Sequence, residues 1–174
     1  MTAIRIFLAL FVLLASTGSS AAAAQTPGCG FYAQVERACP CGDSGYALGY
    51  GRKYCRRIMA EDRLSPLGRQ WRAAAVICLQ EKLRAALPQT GCDCRAIRNK
   101  AYAAHYSCYA KGAISICDLP LEDIVRIDAS IDDADKTGAR GFGVVVRLAL
   151  RCFADNPKRA RAAFRAIGRV ETRQ

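Results

Sequence analysis

Ten cysteines, the first Cys29 and the last Cys152, fall within a chain of 174 residues, and no other feature restricts its fold as much. The number is even and all ten follow an apolar leader, so five disulfides with no free thiol are expected, in an oxidising compartment. The rival for clustered cysteines is zinc. Cys39-Pro40-Cys41 and Cys92-Asp93-Cys94 are C-x-C pairs and His105 is the single histidine, so the usual structural-zinc spacings are absent and no metal or cofactor is expected. The most informative stretch runs from Cys94 to Cys108. Cys94, Ile97, Ala101, Ala104 and Cys108 recur at helical a/d spacing, so one apolar stripe carries a cysteine at each end. Such a helix can be stapled to a different neighbour at each end.

The leader has the marks of a signal peptide. Arg5 supplies a charged start, Ile6 to Ala15 an apolar run, and Ala22-Ala23-Ala24 a small-residue cleavage site, so residues 1–24 are expected to be removed. Residues 25–174 are then one disulfide-rich domain, long enough for a core of its own. The later sequence contains no run apolar enough to span a bilayer. A secreted, extracellular protein is expected, or a periplasmic or cell-surface one from a bacterial source. The formal charge is +11, and Arg5 is the single charge in the leader. A mature chain of about +10 favours anionic surfaces, glycosaminoglycan or acidic protein faces over any specific nucleic-acid readout.

The remaining chain reads as helices. Gln25 to Gly51, rich in Gly, Pro and Cys, shows no clear period and reads as a disulfide-pinned lead-in. Tyr50, Tyr54, Cys55 and Ile58 mark a short first helix that runs to about Arg63. Ser65-Pro66 is an N-cap followed by proline at the first helical position, and Leu67, Trp71, Ala74 and Cys78 keep helical period up to Pro88. Trp71 is read as a core anchor. Asp93 caps the stapled helix, which Gly112 ends. Leu121, Ile124, Val125 and Ile131 form a further stripe, and residues 132–138 a loop. Phe142, Val145, Ala149 and Cys152 make another helix, and Asn156-Pro157 caps the last one. On that helix Ala160, Ala163, Phe164 and Ile167 face the bundle, while Lys158, Arg161, Arg165 and Arg169 stack on the opposite side as a candidate anionic-surface contact. Nothing alternates with period two. The fold class is all-α, a compact, disulfide-stapled bundle of five or six helices.

On these helices the cysteine spacing becomes informative. The series Cys55, Cys78, Cys94, Cys108, Cys117, Cys152, with Cys108-Tyr109 and 34 residues between the last two cysteines, resembles the stanniocalcin family. Gly28-Cys29-Gly30 followed by an aromatic is similar to that family's N-terminal cysteine region. So is Leu64 to Cys78, where Gly68, a basic residue and Trp71 precede a cysteine. The resemblance spans Cys29 to about Ile167. It implies the pairs Cys29–Cys55, Cys41–Cys94, Cys78–Cys108 and Cys117–Cys152, which leaves Cys39 with Cys92. The swapped arrangement, Cys39–Cys94 and Cys41–Cys92, stays open. The resemblance also implies a secreted, non-enzymatic, hormone-like regulator that acts through extracellular protein or surface contacts, as stanniocalcins do on mineral balance and on certain secreted metalloproteases. The chain departs from the vertebrate pattern in having no cysteine after Cys152 and no Asn-x-Ser/Thr acceptor at Asn99 or Asn156. It is therefore expected to be unglycosylated and a monomer or non-covalent dimer.

Two catalytic or metal-binding motifs compete with that reading. His105-Tyr106-Ser107-Cys108-Tyr109 is similar to the helix motif of secreted phospholipase A2, and Cys39-Pro40-Cys41-Gly42 faintly to its calcium loop. A calcium-dependent lipid hydrolase is thus the alternative function. That chemistry needs a carboxylate beside the histidine, where Tyr106 stands. Without it His105 reads as a half-buried helix residue. Asp133, Asp135, Thr137 and Gly138 begin like a calcium-binding hand, but the twelfth position is Val144, not Glu. That acidic segment reads as a solvated turn.

Overall fold

The computed structural model describes residues 28–171; the expected signal segment lies outside the described residues. Among these the chain forms eight α-helices and no strand. They are α1 (Gly30–Ala38), α2 (Lys53–Ala60), α3 (Pro66–Ala86), α4 (Cys94–Ala110), α5 (Leu121–Ala129), α6 (Asp133–Thr137), α7 (Ala139–Asp155) and α8 (Pro157–Glu171). A π-helical turn, Ala47–Arg52, leads into α2. No helix here is long and apolar enough to cross a membrane.

Five disulfides close the frame: Cys29–Cys55, Cys39–Cys92, Cys41–Cys94, Cys78–Cys108 and Cys117–Cys152. The two C-x-C pairs join each other without the swap. α4 is the stapled centre. Ile97, Ala101, Ala104 and Cys108 are buried along one stripe, Cys94 ties its start to the segment after α1, and Cys108 ties its end to α3.

The caps act as the residue types require. The Ser65 hydroxyl accepts from Gly68 N at 3.1 Å with Pro66 in the first turn of α3, and Asp93 accepts from Arg95 N and Ala96 N at the start of α4. Asn156 accepts from Arg159 N at 3.0 Å at the start of α8. Trp71 is almost fully buried, and its indole N–H donates to the Tyr109 carbonyl at 3.1 Å. This satisfies the one polar atom the ring carries into the core.

Three segments differ from expectation. The lead-in contains α1, which buries only Tyr32 and Val35; its Glu36 carboxylate accepts from Cys41 N and Gly42 N at 2.8 and 2.7 Å, and Gly42 turns the chain with φ +72°. The expected loop 132–138 contains α6. Its acids are solvent-accessible but also engaged: Asp132 pairs with Lys53 at 2.6 Å and with Arg57, and Asp135 accepts from the Tyr54 hydroxyl. The first predicted helix ends at Ala60, because Glu61 turns extended.

Candidate functional site

α4, α5, α7 and α8 do not close on one another completely. Between them lies a cavity of about 440 Å³, within the range of small-molecule sites. Its walls are apolar: Ile124 and Ile127 from α5, Val144 and Leu148 from α7, Ala163 and Ile167 from α8. The Cys117–Cys152 bridge spans the same wall. At the rim Phe142, Val145 and Phe164 are 58, 37 and 41% exposed.

Three polar residues of this wall are already partnered. Arg159 donates to the carbonyls of Asp118, at 2.9 Å, and of Leu119. Lys136 pairs with Asp128 at 2.9 Å, and Asn156 is occupied as the cap of α8. The outer walls offered to an occupant are therefore largely hydrocarbon, and recognition there rests on apolar area.

At the inner end the cavity reaches Tyr50, His105 and Tyr109. His105 is fully buried at 2% exposure, not half-buried. The ring stacks on Tyr102 at 5.5 Å and meets Tyr46, Tyr50 and Tyr109 edge-on at 5.3 to 6.3 Å. Its Nδ1 lies 2.9 Å from the Ala101 carbonyl; a carbonyl can only accept, so Nδ1 carries the proton. Burial lowers the imidazole pKa to about 4, against the opposing pull of the Ala101 carbonyl. His105 is thus a neutral ring in an aromatic cage. The residue that follows it, Tyr106, lies beneath the cations of Lys111 and Arg147.

The acidic segment does not converge on a cation site either. Asp133 pairs with Lys136 at 2.7 Å, while Asp135 is taken by Tyr54 and Lys53. Among the described residues no group of three or more His, Cys, Asp or Glu is placed to hold a metal ion. A second, polar cleft of about 390 Å³ lies between Asp43–Lys53 and the start of α7. Its Arg98 donates to the Ser44 carbonyl, and its Arg140 to Asn99 Oδ1 at 3.2 Å.

The four candidate contact residues Lys158, Arg161, Arg165 and Arg169 are all exposed on α8, while Ala160 and Ala163 on its inner side are buried. Phe164, expected to face the bundle, is instead 41% exposed and stacked on Phe153 of α7. Small alanines bring α8 close to α5, so the larger ring is left at the cavity mouth. The cavity itself has no signature in the sequence, because it arises where four helices from distant segments fail to meet.

No protein-family model matches this sequence, and no curated protein or solved structure matches it.

Proposed function

We propose that the chain is an exported, non-enzymatic binding protein with a stanniocalcin-like helical body, and that it carries a single-chain lipid in the cavity between α4, α5, α7 and α8. The observation that carries this reading is a cavity of about 440 Å³ walled mainly by Ile, Val, Leu and Ala side chains, in which Arg159, Lys136 and Asn156 are taken by protein partners. Each methylene moved from water into such a wall contributes about 0.8 kcal/mol. A long acyl chain suits it better than a polar ligand does. The five disulfides support export to an oxidising compartment, because such bridges are rare where thiols are kept reduced. The regulatory role taken from the resemblance becomes, in this form, that of an extracellular protein that responds to a lipid.

A hydrolase is the weaker reading. General-base chemistry at neutral pH needs a histidine that can take up a proton from water, with a pKa near the working pH, whereas His105 is caged by four tyrosines with its pKa lowered to about 4.

The test is displacement of a fluorescent fatty acid from the oxidised chain by palmitate. Saturable displacement with one site is expected. Ala149→Trp, which places an indole in the cavity, should abolish it, and Ala163→Phe provides a second filling variant. A signal unchanged in both variants would show that the fatty acid binds elsewhere.

A further inference from the structure

The exposed side of α7 and α8 combines large apolar side chains with closely spaced cations. Leu150 is 66% exposed and Phe142 58%. Arg147 lies three residues before Leu150 and Arg151 one after it; Arg161 and Arg165 flank Phe164 on α8 in the same way. Arg147 lies one helical turn before Leu150, and Arg161 one turn before Phe164; on α7, Arg147 also lies over the Tyr106 ring and Arg151 pairs with Asp155 at 3.0 Å, so the cations of α8 are the ones best placed to meet an anion. Phe153 stacks on Phe164 with ring centroids 5.4 Å apart, which joins the apolar edges of the two helices. Phe142 and Phe164 also form the cavity rim.

We infer that this helical hairpin docks on an anionic lipid bilayer, with Leu150 and the rim phenylalanines entering the headgroup boundary and Arg161 and Arg165 of α8 meeting lipid phosphates. Amphipathic helices bind interfaces through this pairing of buried apolar area with attraction to anionic headgroups. The charge of the chain, +11, complements such a surface and opposes a second copy, which would bring arginine against arginine. A sulfated polysaccharide would satisfy the arginines but leave Leu150 in water. The inference rests on the lipid-cavity reading only for what docking achieves: the mouth of the cavity would meet the membrane from which its occupant comes.

The experiment is co-sedimentation of the oxidised chain with phosphatidylcholine vesicles, with and without phosphatidylglycerol. Binding is expected only with the anionic lipid and should fall about tenfold as salt screens the arginines. Leu150→Glu and the double reversal Arg161→Glu/Arg165→Glu should each weaken it about tenfold, with helix content and unfolding temperature unchanged. Leu150→Glu should leave fatty-acid displacement in solution as it is, because Leu150 is not part of the cavity wall. Equal binding to both kinds of vesicle would overturn the proposal. So would Leu150→Glu sedimenting like the parent while charge reversal abolishes binding, the pattern of a polyanion surface. Vesicle binding intact in a chain that takes up no fatty acid would overturn the cavity reading and leave docking standing.

Discussion

Asp123, on α5, grips Ser65, the cap of α3, across 58 residues of sequence: its two carboxylate oxygens accept from the Ser65 amide at 2.9 Å and the Ser65 hydroxyl at 2.5 Å. The hydroxyl gives its proton to Asp123 and keeps a lone pair for Gly68 N. Asp123 is 2% exposed, so the cap of one helix is also the partner of a buried carboxylate on another. A Cβ on Gly68 would run into that carboxylate.

Two substitutions read this clasp. Ser65→Ala removes the cap and one of the donors to Asp123, at a cost of about 1–3 kcal/mol. Gly68→Ala adds a methyl where the carboxylate lies, at a similar cost of about 1–3 kcal/mol. Urea unfolding should show both, and the double variant should cost less than their sum because the sites share Asp123. Strict additivity would show that Ser65 and Gly68 act independently.

The clasp also marks how far the sequence could be read. Ser65-Pro66 is visible as a cap because its partner Gly68 N is local, whereas Asp123 as second partner comes from a distant helix. The stripe of α4 was legible because four of its residues are buried at one spacing. α1 was not, since it buries only Tyr32 and Val35 and is fastened by cystines just beyond each end, to α2 and to Cys92. Gly51, at the end of the lead-in, is where the backbone passes so close to the Tyr32 ring that a side chain would collide. The acids of α6 suggested a solvated turn because their cations, Lys53 and Arg57, lie on α2, more than seventy residues earlier.

His105 makes stability depend on pH. Its folded-state pKa is lowered from 6.5 to about 4 by burial, so between those values the unfolded chain binds a proton that the folded chain refuses. Stability should therefore be full above about pH 6.5, fall as pH drops towards 4, and be lost by about 3 kcal/mol at most below that. Asp132, held down to about 2 chiefly by Lys53, is lost only at lower pH, as pH falls below its ordinary value of 3.8 towards 2. Denaturant midpoints measured from pH 4 to 7 should slope in the parent and flatten in His105→Phe. An equal slope in both would remove His105 as the cause.

The network joining α2 to α6 predicts a coupling. The Tyr54 hydroxyl donates to Asp135 and lies 3.3 Å from Asp132 N, and Lys53 reaches both carboxylates. Tyr54→Phe should cost about 1 kcal/mol, while Lys53→Ala at the wetter edge should cost less than about 1 kcal/mol. A double-mutant cycle between Tyr54→Phe and Asp135→Ala should give a coupling above about 0.5 kcal/mol in thermal unfolding. No coupling would place Asp135 outside the network.

All ten cysteines are paired within the chain and none is free. Alkylation of the unreduced protein should label no thiol, and a non-reducing gel should show the mass of one chain. A dimer band that disappears with reductant would require one of the five pairs to be open.

The Cys117–Cys152 bridge has a role the other four do not share. It joins the segment before α5 to α7, across 35 residues of sequence, and both cysteines line the cavity. Cys29–Cys55 spans 26 residues, and neither of its cysteines touches that wall. Loop-closure arguments give both bridges about 2–4 kcal/mol. Replacing Cys117 and Cys152 together by alanine should therefore cost about as much stability as replacing Cys29 and Cys55, when each is read by denaturant unfolding. Their effects on fatty-acid displacement should diverge. Without Cys117–Cys152, α7 loses its covalent tie to the segment before α5, and affinity should fall at least about tenfold, equivalent to ~1.4 kcal/mol. Without Cys29–Cys55 the wall is intact, and affinity should hold wherever the protein remains folded. Equal losses of affinity would show that the cavity depends on global stability rather than on this staple.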